Sequence, residues 1–378
     1  MSKTILSLAT PGVQKLQPYL PGKPVEELER ELGISHSIKL ASNENPLGPS
    51  PLAVRAIEQH ADAVHFYPDG GGFKLTKRLA LHHQVDEACI TLGNGSNDIL
   101  ELATRAFLSP QHSAVFSQYS FAVYPIVVQA VGAKANVAEA FPPDHDDMPL
   151  GHDPQAMLAA IDDDTRMVFI ANPNNPTGTW LQPEVLHKLV SDIPDDIIVV
   201  LDLAYHEYMD EALRVDIAGW LQQFPNLLIT GTFSKIHALA GLRIGYGLSN
   251  PEMADVLNRV RQPFNTNLLA QAAALAALDD EQHVSNSVAA NNDGKAWLFQ
   301  QLHDMGLKTL PSMGNFIAIN FEREAMPVYE ALLRRGVIVR PVANYAMPDY
   351  LRVTIGSEQQ NRRFIEALQQ ALQETQAA

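Results

Sequence analysis

Residues 166–178 read Arg166-Met167-Val168-Phe169-Ile170-Ala171-Asn172-Pro173-Asn174-Asn175-Pro176-Thr177-Gly178. A short β-type run passes straight into a turn made of the residues that favour turns. The arrangement recurs. Residues 197–201 lead into Asp202, with Tyr205 three positions on, and residues 227–231 lead into Thr232-Phe233-Ser234-Lys235. Arg243 stands just before another apolar run at 244–248. With β-type runs at 89–92, 114–117 and 135–139, seven such runs fall within about 160 residues. Helical stretches separate most of them. Ile99, Leu100, Leu102, Ala103, Ala106 and Phe107 share one face at a 3.6-residue period, and Pro183 opens a helix over 184–193. Parallel neighbours need such crossovers. The reading is an α/β fold whose large three-layer domain carries a mostly parallel seven-stranded sheet, with ligands outside the carboxyl ends of the strands.

From about residue 275 the organisation changes. A long Ala/Leu/Gln-rich helical region at 268–302 is followed by a β run at 315–321 and a helix at 327–335. Two more β runs, at 337–341 and 350–355, precede a final helix at 358–372, where Ser357 and Gln360 make a capping box. This predicts a smaller α+β domain. The expected division is an N-terminal arm and part of the small domain at 1–40, a large ligand-binding domain at 41–275, and the small C-terminal domain at 276–378. The arm is rich in Pro and Gly (Pro11, Gly12, Pro18, Pro21, Gly22 and Pro24) and is expected to be irregular and to order on another surface.

Composition narrows the function. The 378 residues carry 27 basic and 43 acidic side chains, a formal charge of −16. Such a surface repels phosphate backbones and anionic lipid, which excludes nucleic-acid and membrane-surface binding as the main role. No stretch approaches the roughly 18 apolar residues of a membrane span. The first residues lack a signal peptide's apolar region. A single cysteine, Cys89, excludes an internal disulfide framework and a Cys-rich zinc site. The expectation is a cytoplasmic protein. The 13 histidines show no HExxH-like spacing, so no metal is expected. Gly93-Asn94-Gly95-Ser96-Asn97-Asp98 begins like a dinucleotide fingerprint but has Asp98 at its sixth position.

Each strand-end element has an ordinary structural explanation: a turn, a helix N-cap at Asp202, an exposed lysine at Lys235. Taken together and in this order, from Ala41-Ser42-Asn43-Glu44-Asn45-Pro46 to Leu351-Arg352-Val353-Thr354-Ile355-Gly356, they resemble the fold-type I pyridoxal-phosphate aminotransferases over nearly the whole chain. The resemblance implies pyridoxal 5'-phosphate as cofactor. It gives Lys235 the Schiff-base role and, once displaced by substrate, that of proton carrier. A lysine at its ordinary pKa of about 10.4 is a poor nucleophile at neutral pH, so burial must lower it. By the same resemblance Asp202 supports the protonated pyridine nitrogen, and Tyr205 and Asn175 bond the ring's hydroxyl oxygen. Tyr119 is implied to stack on the ring. The phosphate falls to Gly95, Ser96 and Asn97 at a helix N-terminus, together with Thr232, Ser234 and Arg243. Tyr67, in Phe66-Tyr67-Pro68-Asp69-Gly70, is implied to reach the neighbouring subunit's cofactor. The expected partner is therefore a second copy of the chain, in a homodimer with shared active sites.

The anion-binding residues point to the substrate. Arg352 matches the aminotransferase arginine that grips a carboxylate, and Arg340 adds a second positive charge before Pro341. Pro18-Tyr19, Pro21-Gly22-Lys23, Asn43 and this arginine pair are most similar to the histidinol-phosphate aminotransferase subfamily. The implied substrates are a phosphorylated amine donor, bound by Tyr19, Asn43, Arg340 and Arg352, and a 2-oxo acid such as 2-oxoglutarate. Two other readings stay open: an aromatic amino-acid aminotransferase, and a lyase or decarboxylase acting on a phosphorylated amino acid.

Overall fold

The computed structural model describes residues 4–18 and 22–376. Its strands in chain order are β1 (Ile38–Lys39), β2 (Ile90–Gly93), β3 (Ser113–Ser117), β4 (Lys134–Ala138), β5 (Thr165–Ala171), β6 (Ile198–Asp202), β7 (Leu227–Thr232), β8 (Gly245–Leu248), β9 (Lys308–Thr309), β10 (Phe316–Asn320), β11 (Val337–Ile338), β12 (Arg340–Pro341) and β13 (Tyr350–Thr354).

Strands β2 to β8 form one seven-stranded sheet in the order β2-β8-β7-β6-β5-β3-β4. Only β8 runs against the others. The alternation of side chains along β5 explains the three layers. Val168 and Ile170 join one hydrophobic cluster with Val199, Leu201 and Ile229. Met167, Phe169 and Ala171 join another with Val200 and Leu228 on the opposite face. Both faces are buried along the central strands, so these read as continuous apolar runs. Each fully buried Val, Leu, Ile or Phe side chain contributes about 1.5–3 kcal/mol.

A four-stranded sheet, β12-β13-β10-β9, underlies the second core. Helices Met326–Arg334 and Glu358–Gln376 pack on it through Val328, Leu332, Phe364 and Leu368. The capping box is formed: the Ser357 N–H donates to Gln360 Oε1 at 2.9 Å, and the Gln360 N–H to Ser357 Oγ at 3.3 Å.

Three sequence expectations change. The single helical region at 268–302 is two helices, Leu268–Ala277 and Glu281–Asp304. Asp280 breaks it by capping the second helix, accepting from the His283 N–H at 3.1 Å. The β run at 337–341 is likewise two strands with different partners. Residues Val337–Ile338 lie parallel to β1, whereas Arg340–Pro341 pair antiparallel with β13. The Pro- and Gly-rich arm is also less irregular than expected, with helices at Pro11–Gln14 and Val25–Leu32. Among the described residues no helix is long and apolar enough to cross a membrane.

Candidate active site

The carboxyl ends of the central strands open into a cavity of about 210 Å³. Of the residues expected there, Asn43, Ser96, Asn97, Asn175, Asp202, Tyr205, Thr232, Ser234, Lys235, Arg243, Arg340 and Arg352 all line it. They come from chain segments more than 300 residues apart and meet because three strand ends and the small sheet converge.

Lys235 stands three residues past the end of β7. Its Nζ donates to the Ser42 carbonyl at 3.0 Å and lies 5.8 Å from the centre of the Tyr205 ring. Burial, reinforced by the Arg352 and Arg243 guanidiniums, pushes its pKa down to about 8. Asp202 ends β6, where it is 5% exposed. Its Oδ2 accepts from the Tyr124 hydroxyl at 2.9 Å and its Oδ1 from the Ala204 N–H at 3.2 Å. Burial raises the Asp202 pKa, and the Tyr124 bond opposes the rise. Burial holds Tyr205 at about 12, against the pull of Arg352, so its hydroxyl stays protonated at neutral pH.

Arg243 adopts a left-handed backbone, φ 55°. A non-glycine residue pays about 1–3 kcal/mol for such a conformation, and such residues cluster at functional sites. Its guanidinium bonds Ser234 Oγ at 3.4 Å and covers Gly95, where an added Cβ would lie 2.5 Å from Arg243 Nη2. Gly245 on β8 supports the loop from behind, and a Cβ there would meet the Ser96 nitrogen at 2.5 Å. Helix Ser96–Phe107 begins at this point with its first N–H groups and positive dipole end toward the cavity. Hydroxyls, a guanidinium and a helix N-terminus surround one end of the cavity; a carboxylate and an amine occupy the other. This donor set fits a pyridoxal-phosphate cofactor: an anionic tail, a basic ring nitrogen and an aldehyde each meet a complementary group.

Three of the expected residues stand apart from the rest. Tyr119 does not line the cavity. It packs with Leu150, Val342 and Tyr345, while Phe121 takes the place in the cavity wall. The turn after β3 carries the chain two residues further before the wall begins. Asn43 lines the cavity but is also a support: its Nδ2 donates to the Tyr205 hydroxyl at 2.8 Å, and its own N–H donates to Thr354 Oγ1 at 2.9 Å. Tyr67 is 82% exposed and away from this chain's own cavity, stacked on Phe264 at 4.8 Å. Tyr19 lies outside the described residues.

Tyr124 is the functional residue that sequence reasoning missed. It is fully buried, stacked on Phe169 at 4.8 Å. Phe121 and Tyr124 are three residues apart at the start of helix Val123–Ala130, the spacing of neighbours on one helix face. That spacing was the available signal.

The small sheet supplies the arginines. Arg352 Nη1 donates to Asn175 Oδ1 at 2.5 Å and Nη2 to the Ala41 carbonyl at 2.7 Å. Arg340 stands opposite it in the β12–β13 register.

Comparison with known proteins follows the same lines. Residues 35–368 match the family described as aminotransferase class I and II. The chain is 55% identical to histidinol-phosphate aminotransferase 2 of Pseudomonas aeruginosa over 369 residues, 97% of this chain and 98% of that protein. It is 50% identical to histidinol-phosphate aminotransferase 1 of Nitrosococcus oceani, over 97% of each. The crystal structure of the Sinorhizobium meliloti histidinol-phosphate aminotransferase in complex with pyridoxal 5'-phosphate superimposes with a TM-score of 0.88 at 28% identity, covering 97% of this chain and 98% of that one. The chain belongs to the class I and II aminotransferases and, within them, to the histidinol-phosphate aminotransferases.

Proposed function

We propose that the protein is a pyridoxal-phosphate-dependent aminotransferase that moves the amino group of histidinol phosphate to 2-oxoglutarate, a step of histidine biosynthesis. The observation that carries this reading is the convergence of Lys235, Asp202 and the Arg243 cradle with the Arg340–Arg352 pair in one cavity. The near-full-length identity to proteins named for this activity supports it.

When bound, the cofactor would supply an electron sink for the electron pair left as the substrate gives up its Cα proton. The chain supplies the rest. Lys235 Nζ, with a pKa near neutrality, takes up and releases that proton. Asp202 presents a buried carboxylate that keeps a proton on the ring nitrogen, with Tyr124 aiming it. Tyr205 and Asn175 offer a hydroxyl and an amide to the ring oxygen. Thr232, Ser234, Arg243 and the first turn of helix Ser96–Phe107 hold the phosphate. Arg352 takes the carboxylate of glutamate or 2-oxoglutarate, and Arg340 with Arg352 takes the phosphate of the amine donor. One cavity thus serves both half-reactions in turn.

The working unit is a cytoplasmic homodimer with shared sites. Tyr67, Phe66, Phe73, Val64 and Phe264 form an exposed apolar surface that a second copy would cover, bringing Tyr67 to the partner's phosphate.

The test is a half-reaction screen. Cofactor-loaded protein is mixed with histidinol phosphate, phenylalanine, tyrosine or glutamate, and conversion to the pyridoxamine form is followed by absorbance. Conversion by histidinol phosphate and glutamate is expected. Conversion by phenylalanine but not histidinol phosphate would move the assignment to aromatic amino acids. Release of carbon dioxide without need of a 2-oxo acid would move it to a decarboxylase.

A further inference from the structure

Asp98 opens a question that the cofactor contacts leave unanswered. It sits one turn into the helix behind the phosphate loop, yet its Oδ2 faces back and accepts from the Asn94 N–H at 2.8 Å. The same oxygen accepts from Asn265 Nδ2 at 2.8 Å, and Asn265 Nδ2 also donates to the Leu92 carbonyl at 3.0 Å. Asn265 Oδ1 in turn accepts from Arg261 Nη1 at 2.8 Å, and that nitrogen donates to the Gly70 carbonyl at 3.0 Å. An amide is thus wedged between a guanidinium and a carboxylate, which fixes its orientation. One end of the chain of bonds is the phosphate loop, and the other is the Tyr67-Pro68-Asp69-Gly70 turn.

A second contact joins the same two places. Phe264, next to Asn265, holds a left-handed backbone, φ 57°. Its ring stacks on Tyr67 and also packs against Gly70, where an added Cβ would come within 3.3 Å. Gln271 Nε2 completes the support by donating to the Asp69 carbonyl at 3.0 Å.

We propose that Arg261 and Asn265 are positioning residues that fix, with the same two side chains, the subunit's own phosphate loop and the Tyr67 turn lent to its partner. The proposal rests on the shared-site reading above. Its consequence is that one substitution weakens two sites: the subunit's own, through Asn94 and Asp98, and the partner's, through Tyr67.

Mixed dimers with differently tagged subunits test this. Lys235→Ala in one subunit removes the visible absorbance of that subunit's site, so titration with pyridoxal phosphate reads only the other. Asn265→Ala is placed either on the reading subunit or on the silent one. In both positions the apparent Kd for pyridoxal phosphate is expected to rise about five- to tenfold, the scale of one ordinary hydrogen bond, because Asn265 acts on the phosphate only through the segments it holds. Pyridoxal, which lacks the phosphate, is expected to bind unchanged in every dimer. The exchange Asp98→Asn/Asn265→Asp, which swaps donor and acceptor, is expected to recover most of the affinity; Asn265→Asp alone sets two carboxylates face to face and is expected to weaken binding. Because Asn265→Asp conserves size, it replaces Asn265→Ala if the latter fails to fold.

Equal weakening of pyridoxal would mark a general structural defect and overturn the proposal. So would a silent-subunit substitution without effect while Tyr67→Phe in that position weakens binding; sharing would then stand without the bridge. If Tyr67→Phe on the silent subunit also has no effect, shared sites and bridge fall together.

Discussion

Arg340 and Arg352 stand directly opposite one another on β12 and β13, both less than a tenth exposed and both facing the cavity. Like charges in direct cross-strand register are destabilising. Two buried guanidiniums are kept together where an anion is to be received between them, and a phosphate with two negative charges suits them better than a carboxylate. Arg340→Ala is therefore expected to lower kcat/KM for histidinol phosphate roughly 10- to 150-fold, the worth of one hydrogen-bonded charge, with a smaller loss for glutamate. Arg352→Ala is expected to damage both half-reactions. Steady-state kinetics with the two amine donors separates the cases; equal losses for both donors in Arg340→Ala would refute its assignment to the phosphate.

Gly245 gives a stability prediction with an internal control. A Cβ at this position would meet the Ser96 nitrogen at 2.5 Å, the Gly95 carbonyl carbon at 2.7 Å and the Gly231 carbonyl oxygen at 2.9 Å. All three are backbone atoms of the sheet or the phosphate loop and cannot swing aside. Gly245→Ala is expected to cost about 1–3 kcal/mol through overpacking and to reduce the rise in Tm on adding pyridoxal phosphate. At Gly241 nothing lies within 4 Å of an added Cβ. Gly241→Ala should stay within about 0.5 kcal/mol of the parent. Thermal unfolding of both variants, with and without cofactor, checks this.

The legible parts of the sequence were those fixed by local chemistry. The central strands β5, β6 and β7 were readable because both of their faces are buried, so each is an apolar run that leads into polar residues, whereas β4 at the sheet edge is mostly exposed. Asp202 and Lys235 were readable because they stand at or just past the ends of such runs, and Arg243 because it stands just before one. Tyr119 and Phe121 both follow β3 closely, and sequence alone does not say which aromatic lines the cavity; Phe121 does, and Tyr119 packs in the cluster that holds the lining residue Tyr345. Tyr124 was invisible as a site residue because its partner, Asp202, is 78 positions away. The split at Ile338–Arg340 was hidden because strand pairing to Ile38–Lys39 depends on a segment 300 residues upstream.

Tyr124 supports Asp202, and its removal should show in the pH profile. The bond from its hydroxyl stabilises the charged form of Asp202 against burial, which pushes the carboxyl pKa upward. Tyr124→Phe removes the bond and keeps the ring stacked on Phe169. Asp202 should then hold its proton to higher pH. The acid limb of kcat/KM is expected to move to higher pH, with kcat at pH 7 lower by about tenfold, the scale of one charge-assisted hydrogen bond. An unchanged acid limb would show that Tyr124 serves packing alone.

The amine of Lys235 makes the sharpest pH prediction. Burial and two neighbouring guanidiniums bring its pKa down from 10.5 to about 8. The neutral amine is the nucleophile that captures the cofactor aldehyde. At pH 7 roughly one Lys235 in ten is then neutral, against roughly one in three thousand for a lysine at its ordinary value. The rate at which cofactor-free protein captures pyridoxal phosphate is expected to rise about tenfold from pH 6 to 7 and to level off above pH 8 to 9. Stopped-flow absorbance on the cofactor-free protein reads it directly. Arg352→Ala removes one of the cations that depress Lys235, so the midpoint should move upward in that variant. A capture rate still climbing tenfold per pH unit between 9 and 10 in the parent protein would mean that Lys235 keeps an ordinary lysine's basicity, and its role as a neutral-pH proton carrier would fail with it.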